Sequence, residues 1–168
     1  DVAVLVDLSL HELTDHRFGG DYDAGPERGG TALKRGVPTI LVPGNVDFLV
    51  SGPFDKAVAR FPGRKAHAHN AAITVIRAAD EEIAAVGRVV AGFCGEAAGP
   101  VEILVPRDGL SAFDHPDGPL HAPGGPEAFL RGLRAEFDGA CPVREVPAHI
   151  NEPVFIAAVL EVFDRIAP

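Results

Sequence analysis

A chain of 168 residues with a formal charge of −9, 46% apolar and 23% charged residues has the size and composition of one ordinary globular domain. The negative charge sets it against nucleic acid and anionic membrane as partners. No apolar run approaches the ~20 residues that span a bilayer, and the start lacks the basic-then-apolar plan of a signal peptide. Two cysteines, Cys94 and Cys141, make neither a disulfide framework nor metal-type spacing, so a reducing, cytoplasmic setting is expected. With no Met at all, the chain reads as a piece of a longer protein.

The first strand-like run, Val2–Val6, ends in Asp7-Leu8-Ser9. A short helix is predicted over His11–Phe18, with Ser9 as its N-cap and Gly19-Gly20 as its stop. Gly25-Pro26 opens a second helix through about Arg35, the proline standing where its missing N–H costs nothing. Gly36 closes that helix, and Val37-Pro38 leads into the run Thr39–Val42, which breaks off at Pro43-Gly44-Asn45-Val46-Asp47. From Asn45 to Arg64 the pattern is irregular, with turn chemistry at Ser51-Gly52-Pro53 and Phe61-Pro62-Gly63 and one short helix over Phe54–Arg60. Ala66–Ala68 then runs into His69-Asn70.

The longest helix is predicted over Asp80–Gly95. Ile83, Val86, Val89, Val90 and Phe93 form its apolar stripe, its first turn is acidic, and Cys94 lies buried in it. Val101–Val105 is a further strand, ending in Pro106-Arg107-Asp108-Gly109-Leu110-Ser111, and a long loop rich in Pro, Gly, His and Asp occupies 113–125. An amphipathic helix follows over Pro126–Phe137. Val143–Pro147 is the last strand, ending in Ala148-His149-Ile150-Asn151. The final helix, about Glu152–Ile166, has Asn151 as its N-cap and is expected to bury Val154, Phe155, Ala158, Val162 and Ile166.

Strand-like runs separated by helices predict a three-layer, Rossmann-like α/β domain with a mainly parallel sheet of about five strands. Asp47–Val50 or Ile73–Ile76 offers a short antiparallel edge as the alternative. In open α/β sheets ligands bind at the carboxyl edge, so the polar strand ends supply the candidate site. Asp7, His69 and His149 are the candidate catalytic groups: a carboxylate at the first strand end and two imidazoles, the side chain most often used as general acid or base. Gly44, Asp47, Asn70, Gly109, Ser111 and Asn151 are candidate ligand contacts through backbone N–H, hydroxyl and amide groups, and the four ends holding Asp7, His69, His149 and Asn151 are expected to share one cleft. Asp108, Asp114 and Asp117 read as turn residues. His67 and His69 would share a strand face, but the pair is more simply a polar strand end, and no metal is expected. Phosphate-cradling loops, dinucleotide fingerprints and nucleophile elbows are missing.

The residues also carry a resemblance. Asp7-Leu8-Ser9 with Glu12, Gly19-Gly20, Ala24-Gly25-Pro26 with Arg28, Gly36-Val37-Pro38, and Pro43-Gly44 with Asp47 are similar to the second half of the Tm-one-like ATP-binding family, a UPF-type family. The likeness continues through Arg64 with His69-Asn70, Glu81-Glu82, Gly87-Arg88, Gly99-Pro100-Val101, Pro106 with Gly109 and Ser111, and His149-Ile150-Asn151 with Pro153 and Phe155. Ala78-Ala79 stand where the family has threonines. The resemblance implies two successive Rossmann-like domains, of which residues 1–168 are the second, with ATP held mainly by the first and no cofactor assigned to this one. It also implies an N-terminal domain of the same protein as partner, and it makes a homodimer plausible. Two functions stand open: a small-molecule or nucleotide-associated binding or enzymatic domain, and a dimerisation or interaction module. The apolar stretch Phe48–Phe61 either leaves an exposed contact surface for a partner or folds down over the sheet edge to complete the domain's own core.

Overall fold

The computed structural model describes residues 2–136, 139 and 141–167. Four parallel strands form the central sheet in the order β1 (Leu5–Asp7), β2 (Thr39–Leu41), β6 (Val101–Pro106), β7 (Val143–Val146). Leu5 pairs with Thr39, Ile40 with Glu102, and Leu104 with Arg144. Alternation along these strands divides the core. Leu41, Ile103 and Val105 face α1 (His11–Phe18), α2 (Gly30–Lys34), α4 (Asp80–Gly95) and α5 (Gly125–Glu136), while Ile40, Val42 and Leu104 face α6 (Pro153–Ile166). The result is the expected three-layer α/β architecture.

The strand count differs from the expectation of about five parallel strands. Ala66–Ala68 (β4) belongs to a second, antiparallel sheet in the order β3 (Phe48–Ser51), β5 (Thr74–Arg77), β4. Ala66 pairs with Ile76, and Phe48 with Arg77. A crossover long enough for parallel pairing needs a dozen or more residues. Only five residues separate β4 from β5, so a hairpin is the available geometry. Both segments named as a possible antiparallel edge are therefore used, but as a separate sheet packed on α1 and α3 (Phe54–Arg60).

Helices α1, α3 and α4 have the bounds that turn chemistry and periodicity predict. Ile83, Val86, Val90, Phe93 and Cys94 of α4 are buried. Ala79 has no hydroxyl to cap α4, but the Glu82 carboxylate accepts the Ala79 N–H at 2.8 Å, so half of a capping box survives. Close packing of α4 on α5 depends on glycine: a Cβ on Gly132 would lie 1.8 Å from the Ala84 carbonyl oxygen, and one on Gly87 2.3 Å from that of Phe129.

Four local expectations are corrected. Leu10, not Ser9, occupies the N-cap position of α1, and the Ser9 hydroxyl instead accepts from Asn45 Nδ2 at 3.0 Å. The helix predicted from Gly25-Pro26 forms only over Gly30–Lys34, because the preceding residues close as turns, with Gly25 and Gly29 at positive φ. Glu152, not Asn151, is the N-cap residue of α6. Val154, expected inside, is 62% exposed, whereas Phe155, Ala158 and Val162 are buried as expected. Phe137 lies outside the described residues. The stretch Phe48–Phe61 folds down into the domain: Phe48, Leu49, Val50 and Ala57 are buried, Phe61 packs against the main core, and Phe54 remains exposed. Among the described residues no helix is long and apolar enough to cross a membrane.

Candidate functional site

The four parallel strands deliver four loops to one edge, and hydrogen bonds knit these loops together. After β1, Asp7 pairs with the Arg28 guanidinium, whose Nη2 lies 3.0 Å from Oδ1 and 2.7 Å from the Ser9 carbonyl oxygen. The Asp7 hydrogen bond, opposed by burial and supported by Glu12, raises the Arg28 pKa. After β2, Gly44 touches the β1 loop so closely that a Cβ would lie 2.0 Å from the Leu8 carbonyl oxygen. Asn45 follows at φ 63° and donates its N–H to the Leu110 carbonyl at 2.9 Å, tying this loop to the one after β6.

Asp47, at the head of β3, is fully buried. Its Oδ2 accepts the Ser111 hydroxyl at 2.8 Å, while Oδ1 has no hydrogen-bond partner among the described residues. Desolvation pushes its carboxyl from 3.8 up to about 6, with the nearby Asp114 charge adding to the rise and Ser111 and Arg77 opposing it. Arg77 Nη1 donates to the Asp47 carbonyl oxygen at 2.8 Å.

The loop after β6 supplies most of the site. Gly109 adopts φ 144°, and a Cβ there would lie 2.1 Å from the Asp114 carbonyl oxygen and 2.4 Å from the His149 ring, so the close approach demands glycine. Asp114 is buried and takes three donors: the Leu110 N–H at 3.3 Å, the Ala122 N–H at 3.1 Å and His121 Nδ1 at 3.2 Å. With Nδ1–H donated to that carboxylate, Nε2 of His121 is left as the basic nitrogen of the ring. After β7, the Asn151 N–H donates to His149 Nδ1 at 3.1 Å, and His149 Nε2 lies 3.0 Å from the Ser111 carbonyl oxygen. Those two bonds assign the neutral tautomer with hydrogen on Nε2, and both ring nitrogens are engaged.

These loops and the amino ends of α5 and α6 enclose a cavity of about 700 Å³. Ala112, Pro116, Pro123 and Pro126 form its apolar wall, and His115, His121, His149, Arg107 and Asp108 its polar groups. Of the sequence-predicted residues, Gly109, His149 and Asn151 line it, and Ser111 and Asp47 support it through hydrogen bonds. Gly44 stands at the same edge, where a Cβ would lie 2.7 Å from Ile150 Cδ1.

Three candidates lie elsewhere. Asp7 lines a smaller recess with Glu27 and Arg28. His69 belongs to the antiparallel hairpin, its ring 6.0 Å from that of Phe113. The Asn70 side chain accepts the Ala72 and Ile73 N–H groups at 2.8 and 3.0 Å and so shapes the β4–β5 turn. Among the described residues no three His, Cys, Asp or Glu side chains cluster as metal ligands. Asp114, His115 and His121, read from sequence as loop chemistry, prove central to the cavity. Two histidines and an aspartate within eight residues of a Pro/Gly-rich loop were the available signal.

The C-terminal domain model of the uncharacterised protein family UPF0261 matches residues 1–167. The chain belongs to this family. It is 38% identical to a UPF0261 protein of Brucella melitensis over 164 residues, covering 98% of this chain and 39% of that protein. A UPF0261 protein of Rhizobium meliloti is 28% identical over 97% of this chain and 42% of its own length. The ToMV resistance protein Tm-1 of Solanum lycopersicum is 27% identical over 98% of this chain and 22% of its own length. The ToMV susceptible protein tm-1 of the same plant is 25% identical over 98% of this chain and 22% of its own length. The chain thus spans about two fifths of the length of the bacterial relatives, in keeping with the resemblance read from the sequence.

Proposed function

We propose that this UPF0261 domain binds a small organic anion in the carboxyl-edge cavity and performs acid–base chemistry on it through His121. The carrying observation is the buried Asp114 carboxylate bonded to His121 Nδ1, with the ring bordering a cavity of ligand size. Such a carboxylate orients the imidazole and leaves Nε2 to exchange a proton with the ligand. His149 is committed at both nitrogens, so it positions the Ser111 carbonyl and the Asn151 backbone instead of exchanging protons.

Helix dipoles are what favours an anion here, since the total charge is −9 and Arg107 is already paired with Glu127 and Glu145. The positive ends of the α5 and α6 dipoles meet at the cavity. Three of its neighbouring carboxylates are already engaged: Asp114 as described, Glu152 by the His149 N–H, and Glu127 by Arg107. Asp108 is the lining carboxylate without a side-chain partner among the described residues.

Protein NMR with a library of carboxylate, phosphate and nucleotide fragments, ATP included, tests the reading. Shift changes are expected to cluster on residues 107–126 and 148–152, and His121→Ala is expected to abolish them. Fragments that bind only elsewhere, or that bind His121→Ala unchanged, would refute it.

A further inference from the structure

Three imidazoles border the carboxyl-edge cavity, and they differ in what they have left to offer. His149 is bonded at both Nδ1 and Nε2. His121 is bonded at Nδ1, to the buried Asp114 carboxylate. Among the described residues the His115 ring has no hydrogen-bond partner; it meets His149 edge-on, with centroids 6.4 Å apart and planes at 76°. A polar ring without a protein partner at a cavity wall keeps both nitrogens for what enters.

The two uncommitted rings are held by one turn and flank different parts of the cavity. The Gly118 N–H donates to the His115 carbonyl oxygen at 2.6 Å, and the His121 N–H to that of Gly118 at 3.2 Å. Leu120, inside this turn, is fully buried and fixes it. His115 borders His149, in the loop that leads into α6, whereas His121 lies just before α5.

Granted proton exchange at His121, we propose that His115 is a second catalytic residue, and that the pair isomerises a small hydroxy-aldehyde or hydroxy-ketone carrying a carboxylate or phosphate. A single acid–base group takes a proton and returns it. Moving a carbonyl to the neighbouring carbon needs protons handled on carbon and on oxygen together. His121 Nε2, oriented by Asp114, takes the proton of the carbon next to the carbonyl. The electrons of that C–H bond form the C=C bond of an enediol, and the carbonyl oxygen receives a proton from His115, which starts protonated. His115 then removes the proton of the neighbouring hydroxyl, and His121 returns its own to the former carbonyl carbon. The carbonyl has moved by one carbon, both imidazoles end as they began, and no oxidant or co-reactant is consumed. Ala112, Pro116, Pro123 and Pro126 shield the enediol from water, and a cavity of about 700 Å³ has room for such a substrate.

Deuterium entry from D2O at the carbon next to the carbonyl, read by proton NMR, is the test. The probes are dihydroxyacetone phosphate, ribose 5-phosphate and glucuronate, with binding of each followed by isothermal titration. Wild type is expected to exchange at least one of them, the phosphate and carboxylate probes telling which anion the cavity takes. His115→Gln is expected to keep its circular dichroism and bind that probe within about threefold of wild type, yet exchange it roughly 100-fold more slowly. Wild type that binds a probe without exchanging it, or His115→Gln that exchanges like wild type, overturns the proposal and leaves anion binding beside His121 standing. A folded His115→Gln that no longer binds overturns it too, because the ring is then a ligand contact alone. If none of the probes binds, the substrate class falls and the proposal with it, whereas the His121 reading fails only if the fragment library also misses the cavity.

Discussion

Two acidic corners of the same sheet edge behave differently. At the end of β1, Asp7 meets an arginine whose guanidinium also reaches the Ser9 carbonyl, and both oxygens of that carboxylate are paired. Beyond β6, Asp47 and Asp114 share a neighbourhood with Ser111, His121 and Arg77, and that corner is incomplete: one Asp47 oxygen and Arg77 Nε have no hydrogen-bond partner among the described residues. A complete pair holds loops together and asks for nothing more. An incomplete network beside a cavity keeps polar capacity in reserve, which stability alone does not reward.

The largest expected effect sets the corners directly against each other. Asp114→Ala strands the Leu110 and Ala122 N–H groups, whose partners it removes, and should cost about 3 kcal/mol, or roughly 6–12 °C in melting temperature. Asp7→Ala should cost less, about 1–2 kcal/mol, because the partly exposed Arg28 regains water. Thermal melts of both variants check the order, and a costlier Asp7→Ala would break the comparison.

Next comes pH. Folding holds the Asp47 carboxyl near 6 against an ordinary 3.8, so the folded state keeps a proton that the unfolded state has lost. That contribution to stability is fully present below about pH 4 and fades as pH rises through 6, a swing of roughly 2–3 kcal/mol. Asp47→Asn removes the ionisation, so urea denaturation should show the variant gaining on wild type between pH 4 and pH 7. Parallel stability curves for the two proteins would show an ordinary carboxylate.

His121→Gln should move the melting temperature by no more than about 2 °C, since the side chain is partly exposed and at the cavity edge, yet it should abolish fragment binding. Isothermal titration with a fragment hit separates the two readouts. The smallest effect is expected for Ser9→Ala, which deletes one part-buried bond to Asn45 and should cost under about 1 kcal/mol in the same melts.

Residues close in sequence decided what was legible. The α4 stripe Ile83, Val86, Val90 and Phe93 recurs every three to four residues, and Gly19 and Gly36 stop their helices at positive φ, so these elements declare themselves within a turn or two. The strand ends after β1, β2, β6 and β7 were readable for the same reason, and with them the edge that carries the cavity. Ala66–Ala68 was not, because a strand of three residues is too short to specify its partner strand. His69 and Asn70 followed that strand onto the other sheet.

Sequence by itself determined the α/β class, the helices with strong periodicity, and which strand ends meet at the carboxyl edge, those of His149, Gly109 and Ser111 among them. Tertiary structure alone decided which acid meets which base. Asp114 meets His121 across a loop, Asp7 meets Arg28 across twenty-one residues, and more exposed apolar surface sits on α6 than on Phe48–Phe61, where Phe54 is left exposed. Local periodicity is set by bond geometry between neighbours, whereas desolvation, pairing and exposure depend on what distant segments bring to the same point.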